Sequence, residues 1–335
     1  MSSISIETKK ISELTAATSA ADNDLLILRK SDGTGVKSIT VSKMRDIITG
    51  LLSELETTDK DSIVDAVNEV LAVVNEQAGW LDGLQELFDH FGIAGAGLAN
   101  SIFVDEEVAS TILTDKATEI TNGTFEGLWV GQFVPDTNNQ KYRFSDFDYF
   151  LHCGDSETTE HHILTVPDKC MYRAEMNSSN VTTGAYVGSA MYTSNLQTAI
   201  DTITTKFGSA HLLSHKEYLK NAVTNGYESG GAWYARTVDL MTEEMVYGSK
   251  EFKNIIAGTN VPANYTVAYS QLSSFRLNKA LIRSVIYEND ADSRCWYWLR
   301  DVVNAAYFAC VDSYGACAST GASLSRGVRP AFPLI

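Results

Sequence analysis

Proline is scarce in this chain and is missing from its first third. Only five of the 335 residues are proline, and the first of them is Pro135. Because proline interrupts helices and central strands, its absence leaves the front of the chain free to form long regular elements. We therefore divide the sequence near residue 125 into a regular, elongated front part and a C-terminal part of different texture.

Positive charge is also scarce. The chain has 26 Lys and Arg against 42 Asp and Glu, a formal net charge of −16, and no cluster of basic residues. Such a chain repels phosphate backbones and anionic lipid surfaces, so we expect no nucleic-acid partner. Neither a signal sequence at Met1 nor an apolar run of about 20 residues is present, so we expect synthesis in a cytoplasm and no membrane insertion.

Motifs of catalysis and of metal or cofactor binding are missing too. The sequence has no phosphate-binding loop, dinucleotide fingerprint or nucleophile elbow. Five cysteines without CxxC spacing indicate neither a disulfide framework nor a zinc site. We expect free buried thiols, with a Cys310–Cys317 bridge as the alternative. All five are Cys153, Cys170, Cys295, Cys310 and Cys317.

Two polar clusters are weak candidates for metal ligands, and we expect no metal at either. One lies around His152, His161 and His162 and lacks the ligand offsets of known zinc motifs. The other is the acidic segment 288–292, which lacks the spacing of an EF-hand loop. We expect no cofactor elsewhere in the chain.

Residues 1–56 predict a small N-terminal module. Two β-prone runs, 25–30 and 36–41, flank a Gly-containing turn and predict a hairpin. Residues 43–55 then carry apolar side chains at helical spacing. One hairpin and one helix bury too little apolar area to fold alone, so we expect this module to pack against its own copies or another protein.

Residues 57–92 predict a coiled coil. Apolar residues follow one another in alternating steps of four and three over about four heptads, with Gln77 as the polar exception. The alternative is an amphipathic helix that packs on its own domain. The pattern ends at the Gly-rich stretch 92–97, so residues 93–126 are assigned to a linker or neck. The predicted oligomerisation seam is Ile63, Val67, Val70, Val74, Gln77, Leu81, Leu84 and Phe88.

Residues 127–335 predict an α+β domain. Short apolar runs alternate with Gly, Asn, Ser and Asp, which is typical of strands joined by long loops. Helical spacing is confined to residues 194–207, 215–225 and 238–247.

Three stretches resemble bacteriophage fibre proteins. Residues 9–16 with the following hairpin resemble virion-attachment segments of tail and head fibres, and residues 59–69 resemble the start of their helical stalks. The motifs YWLRD (297–301) and GVRPAF (327–332) resemble C-type-lectin-like receptor-binding domains, including variable proteins diversified by retroelements. The resemblance implies a homotrimeric virion fibre, made in the host cytoplasm, that docks on another virion protein and binds a host surface glycan or protein.

The resemblance also implies roles for individual residues. Trp298 and Phe332 would be core, and Arg300 and Arg329 would hydrogen-bond loop carbonyls or carboxylates. The receptor would bind the segment between the two motifs, which is rich in Tyr, Ser and Asn and has no Lys, Glu, Gln, Met or Trp from 300 to 328. Retroelement diversification would explain that gap, and chance is the alternative. The candidates are Asn304, Tyr307, Asp312, Tyr314, Ser319 and Ser323.

Two other function classes stay open. One is a structural head or collar fibre whose tip binds nothing. The other is an enzyme that degrades surface polysaccharide or follows the formylglycine-generating pattern, which would need a carboxylate pair in a cleft or the pair Cys310 and Cys317. Since no catalytic motif is present, we expect an adhesin and not an enzyme.

Overall fold

The computed structural model describes residues 25–29, 36–40, 93–224, 227–251, 265–286 and 294–335. The chain divides into two units, Met1–Leu87 and Phe88–Ile335. In the first unit, β1 (Leu25–Arg29) pairs antiparallel with β2 (Val36–Thr40), which confirms the predicted hairpin. The predicted helix 43–55 and the coiled-coil seam 63–88 lie outside the described residues.

Residues 93–126, expected to form a linker, instead pack against the core of the second unit. They contain three short helices: α1 (Gly95–Ala99), α2 (Ile112–Asp115) and α3 (Ala117–Thr121). Their apolar side chains, such as Leu113 and Ile120, are buried in the main hydrophobic cluster. Burial of these residues outweighs the local glycine-rich composition that suggested a linker.

Two five-stranded sheets form the framework of the second unit. Sheet I is antiparallel and has the order β3-β4-β5-β16-β9. Its strands are β3 (Phe133–Pro135), β4 (Lys141–Phe147), β5 (Ile163–Pro167), β9 (Asp239–Leu240) and β16 (Pro330–Leu334). Sheet II has the order β14-β13-β12-β15-β6, with β12 and β15 parallel. Its strands are β6 (Tyr172–Ala174), β12 (Tyr297–Val302), β13 (Tyr307–Val311), β14 (Cys317–Gly321) and β15 (Arg326–Val328).

Shorter elements connect the sheets. A π-helical turn (Met191–Asn195) leads into α4 (Gln197–Phe207), which confirms the helix predicted at 194–207. Beyond it lie α5 (Glu243–Tyr247), α6 (Ser273–Leu277), 3₁₀ turns at Ser209–His211 and Lys279–Ile282, and the strand pair β10 (Ser284–Val285) and β11 (Arg294–Cys295). This mixture of sheets and helices confirms the α+β class. No helix in the described ranges is long and apolar enough to cross a membrane.

The helix predicted at residues 215–225 is wrong. These residues form β7 (His215–Thr224), which pairs with β8 (Tyr227–Arg236) in a long antiparallel hairpin. Pairing along nine registered residue pairs overrides the weak helical spacing of the local sequence. The prediction for 238–247 is half right, because the segment begins as strand β9 and becomes helical only at Glu243.

The core lies on both faces of β12. Trp298 packs into the main cluster with Phe308 and Phe332, whereas Tyr297 and Leu299 pack into a second cluster on the opposite face. Strand geometry requires this alternation, since successive side chains point to opposite faces. Trp298 and Phe332 are fully buried, which confirms their expected place in the core.

Candidate functional site

The six predicted binding residues do not form one cluster, because β13 separates them. Tyr307 begins this strand and Asp312 follows its last residue, so Tyr307 and Tyr314 lie at opposite ends of the hairpin. Five residues of strand place these ends about 14 Å apart. The candidate site is therefore two separate surfaces, and each is described by itself.

The first surface is built on the turn between β12 and β13. The side-chain oxygen of Asn304 accepts hydrogen bonds from the backbone N–H of Ala306 (2.9 Å) and Tyr307 (3.1 Å). The backbone N–H of Val303 donates to the Tyr307 carbonyl at 2.9 Å and closes the turn. Asn304 is thus a structural residue of the turn, because its side-chain oxygen is engaged by two backbone N–H groups. Tyr307 itself is exposed.

A loop from residues 177–190 lies against this turn. The Thr182 hydroxyl donates to the Asn304 carbonyl at 2.7 Å, and the Thr182 N–H donates to the Ala305 carbonyl at 3.0 Å. Two residues earlier, the side-chain oxygen of Asn180 accepts from the N–H (3.0 Å) and the hydroxyl (2.8 Å) of Ser323. The loop therefore ties together the two turns that flank β13 and β14 at this end of sheet II.

Three large side chains are exposed around these contacts. Val181 is 44% exposed, Tyr307 42% and Leu324 45%, although comparable apolar side chains of this unit are mostly buried. The backbone beneath them is fixed, since Val181 O accepts from the Asn177 side chain and Leu324 N donates to the Gly321 carbonyl. We call this set, with Asn180 and Ser323 between its members, the Tyr307 surface.

The Tyr307 surface is formed by three stretches of sequence that contain no charged residues. Residues 176–200, 302–311 and 313–325 contain no Asp, Glu, Lys, Arg or His, in a chain of which 20% is charged. The hydrogen bonds of Thr182 and Asn180 bring these three stretches together. The result is a polar but uncharged area with apolar side chains on an otherwise acidic protein.

The second surface lies at the turn between β13 and β14. The Asp312 carboxylate accepts from the N–H of Tyr314 (2.8 Å) and Ala316 (2.9 Å), so it serves the turn. The Tyr247 hydroxyl donates to the Gly315 carbonyl at 3.2 Å and anchors the turn to α5. Tyr314 is 80% exposed. Ser319 lies between the two surfaces, in β14 opposite Ala309.

Arg300 occupies a buried ionic network that the sequence did not indicate in full. Its guanidinium donates to both carboxylate oxygens of Glu217 and, at 3.3 Å, to Asp239. Asp239 also accepts a hydrogen bond from the Tyr186 hydroxyl. Burial by itself raises the pKa of Glu217, but the charge and hydrogen bonds of Arg300 outweigh it and hold that pKa below its ordinary value. Burial keeps the pKa of Asp239 raised.

A small cavity adjoins this network. Its lining includes Glu217, Arg300, Glu244, Asp301 and Lys250, and its volume is about 80 Å³. The Lys250 ammonium lies 3.3 Å from Asp301 and 3.7 Å from Glu244. Burial and then the Asp301 charge raise the pKa of Glu244. Ligand pockets usually occupy about 300–1,000 Å³, so a cavity of this size suits a few water molecules.

Arg329 fills the expected structural role at the centre of the fold. It is 1% exposed and donates to the carbonyls of Pro167 (2.7 Å) and Leu281 (2.9 Å). Arg300, by contrast, meets carboxylates, so the two arginines bind the two kinds of acceptor that the resemblance implied.

Cysteines 310 and 317 do not form a bridge. All five cysteines are free, which confirms the expectation of free thiols. Cys310 pairs with Ala318 and Val311 pairs with Cys317 in the β13–β14 ladder, so the two thiols point to opposite faces of sheet II. A disulfide or a reactive pair needs both sulfur atoms on one face.

The histidine cluster near residue 152 is dispersed among separate partners. His152 contacts Glu157, and His161 Nδ1 lies 2.8 Å from Asp148. His162 is fully buried and accepts a hydrogen bond from Phe150 N–H, and burial lowers its pKa to about 4. Among the residues that the structure describes, no three His, Cys, Asp or Glu side chains are grouped to hold a metal ion.

Two features of the Tyr307 surface were missed from the sequence. Val181 and Leu324 were not candidates, because single exposed apolar residues in loops have no periodic signal. The uncharged run from 176 to 200 was visible in the sequence and marks the loop that completes the surface.

Comparison with known proteins finds one family model that matches part of the chain. Residues 212–335 match a family model described as a domain of unknown function, DUF6273. The matched segment runs from Leu212, just before β7, to Ile335 and contains β12 to β14 with both of their turns, whereas the loop at 177–190 that completes the Tyr307 surface precedes it. No curated protein matches the chain, and no solved structure matches it.

Proposed function

We propose that this chain is a bacteriophage fibre protein that attaches the virion to a host cell through the Tyr307 surface. The observation that carries the proposal is the meeting of three uncharged stretches at a rigid, exposed set of Val181, Tyr307 and Leu324. Cores of protein interfaces are depleted in charge and enriched in tyrosine, and this surface has both properties.

The hydrogen bonds beneath the exposed side chains favour a binding surface over a tip that binds nothing. Thr182, Asn180 and Asn304 make hydrogen bonds that hold the backbone under the exposed side chains. A preformed surface loses little conformational entropy when it binds, so more of the contact energy appears as affinity. Tyrosine adds contact area and a hydroxyl at the cost of only two rotatable bonds.

The net charge of the chain also favours binding through the Tyr307 surface. A chain of net charge −16 repels an acidic cell envelope over most of its area. Contact through an uncharged area avoids this repulsion at the point of closest approach. The ligand chemistry that fits is an uncharged sugar face or an apolar-polar protein epitope of the host surface.

A C-type-lectin-like fold for residues 127–335 is part of the proposal. Its support is the placement of the two motifs, since Tyr297 of the first pairs directly with Gly327 of the second in sheet II. The aromatic residues Trp298 and Phe332 of these motifs enter one core. A homotrimer on a coiled-coil stalk, docked on the virion by residues 1–56, would present three such heads, and several weak contacts would add to avid attachment.

The test is adsorption blocking with the full-length protein. Host cells are incubated with purified protein before the phage that encodes it is added, and unattached phage are counted. Blocking by the wild type, with loss of blocking in Y307A, supports the proposal. Periodate treatment of the cells removes a glycan receptor and protease treatment removes a protein receptor, so the two ligand classes separate in the same assay.

The other function classes give different results in this assay. A structural head or collar fibre would be present in the virion but would neither bind cells nor block adsorption. An enzyme would release sugars from purified host polysaccharide, and the release would stop when the cavity carboxylate is neutralised in E244Q. Either result would remove the adhesin proposal.

A further inference from the structure

Two buried cysteines outside the candidate site face one another. Cys170 precedes β6 and its N–H donates to the Val285 carbonyl at 2.8 Å, while Cys295 ends β11 and pairs with Ser284 of β10. Cys170 is 0% exposed and Cys295 is 1% exposed. The short β10–β11 pair therefore brings together two thiols that are far apart in the sequence.

Gly327 fixes how close the two sulfur atoms are. A Cβ placed on Gly327 would lie 2.5 Å from Sγ of Cys170 and 2.8 Å from Sγ of Cys295. The two sulfur atoms are thus separated by no more than the sum of these distances. A disulfide bond is about 2.05 Å long, so the two free sulfur atoms must approach one another before they can bond. The absence of a side chain at residue 327 leaves the space for both thiols.

We propose that Cys170 and Cys295 are a redox pair that forms an intramolecular disulfide under oxidising conditions. The bond would join β11, at the entry to the central strand β12, to the edge of the same sheet at β6. The proposal is independent of receptor binding and concerns the stability of the domain outside the cell that makes it.

The surroundings favour a thiolate on Cys295 as the attacking group. Its hydrogen-bonding contact with Cys170 lowers the pKa of Cys295, and the positive charges of Arg173 and Arg326 lower it further. Burial raises the pKa of Cys170, which therefore keeps its proton. The thiolate is the attacking form in thiol–disulfide exchange, so a lowered pKa makes Cys295 the more reactive of the two thiols.

The oxidant is a low-molecular-weight disulfide such as glutathione disulfide. The Cys295 thiolate attacks one sulfur of this disulfide, forms a mixed disulfide and releases one thiolate. The released thiolate takes the proton of Cys170, and the Cys170 sulfur then attacks Sγ of Cys295 and displaces the second thiolate. Two protein thiols are oxidised and one disulfide molecule is reduced to two thiol equivalents. Because both cysteines are buried, the oxidant reaches them before folding is complete or through local opening of the short β10–β11 pair in the native protein.

The other cysteines are poor partners. Cys310 and Cys317 point to opposite faces of sheet II. The Cys153 sulfur contacts the Leu151 carbonyl and not another thiol. Substitution of these cysteines therefore provides matched controls that remove a thiol without touching the pair.

The test is a thiol count on the full-length protein. Reduced, unfolded chain is refolded in a glutathione redox buffer, and its native fold is checked by near-ultraviolet circular dichroism. The protein is then unfolded again, alkylated and weighed. We expect three alkylated cysteines, a mass lower by two hydrogen atoms before alkylation, and one linked peptide pair that contains Cys170 and Cys295. C153S keeps the link, and C170S loses it.

A second arm does not depend on refolding. Protein purified in reducing buffer is treated with diamide in its native state and analysed in the same way, and the oxidised form is expected to unfold at a higher guanidinium concentration than the reduced form. Five alkylated cysteines in both arms, or a link between any other two cysteines, would overturn the proposal.

Discussion

Replacement of Arg300 by methionine removes the cation from the buried ionic network. The variant keeps a side chain of similar length but leaves the Glu217 and Asp239 carboxylates without their shared donor. The side chains are buried, with 9% of Arg300, 13% of Glu217 and 4% of Asp239 exposed, so water cannot replace the guanidinium. Removal of one partner from a buried ion pair costs about 3–5 kcal/mol, and we expect this loss for R300M at pH 7.

The loss must shrink as the pH falls. In the wild type the pKa of Glu217 is held below its ordinary value of 4.5, so the ion pair stabilises the fold above that pH and the contribution disappears as the pH falls through the folded pKa. In R300M the burial remains without Arg300, which places the folded pKa of Glu217 above 4.5. Protonation then relieves the buried charge on acidification, so the free-energy difference between the two proteins narrows.

The assay is urea unfolding of both proteins at pH 7 and at pH 5. R329M is the matched control, because Arg329 is equally buried but donates to carbonyls that do not titrate. His162, whose burial lowers its pKa to about 4, destabilises every variant alike below its ordinary value of 6.5, so the difference from wild type removes its effect. An R300M loss that is the same at both pH values, or below about 1 kcal/mol at pH 7, would refute the role of the ion pair.

Three further predictions concern stability and are all measured by urea unfolding. F332A removes a fully buried ring from the main cluster and should cost about 3–5 kcal/mol, whereas a loss under about 1 kcal/mol would place this residue outside the core. G327A introduces a methyl group against two sulfur atoms and should cost about 1–3 kcal/mol, and an unchanged midpoint would contradict the close approach of Cys170 and Cys295. T182V leaves the Asn304 carbonyl without its hydroxyl donor and should cost about 1–3 kcal/mol, and a neutral result would mean that the loop does not support the turn.

Local signals in the sequence were enough for some elements. In α4 the buried residues Ala199, Ile203 and Phe207 are four apart, so helical spacing predicted the element directly. In the N-terminal hairpin two β-prone runs flank a Gly-containing turn, and β1 and β2 pair as that pattern indicates. These elements are defined by residues close together in the chain.

Other elements depend on partners that are distant or were overlooked. The segment 215–225 has Leu219 and Val223 at helical spacing, but the dipeptide Asn225-Gly226 that follows is typical of a tight hairpin turn, and strands on either side of it pair in register. The segment 93–126 has a glycine-rich start that suggested a linker. Its burial depends on contacts with core residues that are far away in the sequence, and local spacing does not show such contacts.

The candidate site was predictable by region but not by arrangement. Tyr307 and Tyr314 were both expected to bind the receptor, and both are exposed. They nevertheless lie at opposite ends of the β13–β14 hairpin, because β13 runs between them. Asn304 and Asp312 were expected to contact a ligand, but their side chains accept backbone hydrogen bonds within turns. Turn-forming and ligand-binding residues have the same composition, so sequence alone does not separate them.

The most direct test of the account is equilibrium binding of labelled full-length protein to host cells. We compare wild type with a V181A/Y307A/L324A variant of the Tyr307 surface and with Y314A, which removes an even more exposed tyrosine from the other end of β13. The account predicts binding at least about tenfold weaker for the triple variant and unchanged binding for Y314A. Wild-type binding that survives in the triple variant, or is lost only in Y314A, would contradict it.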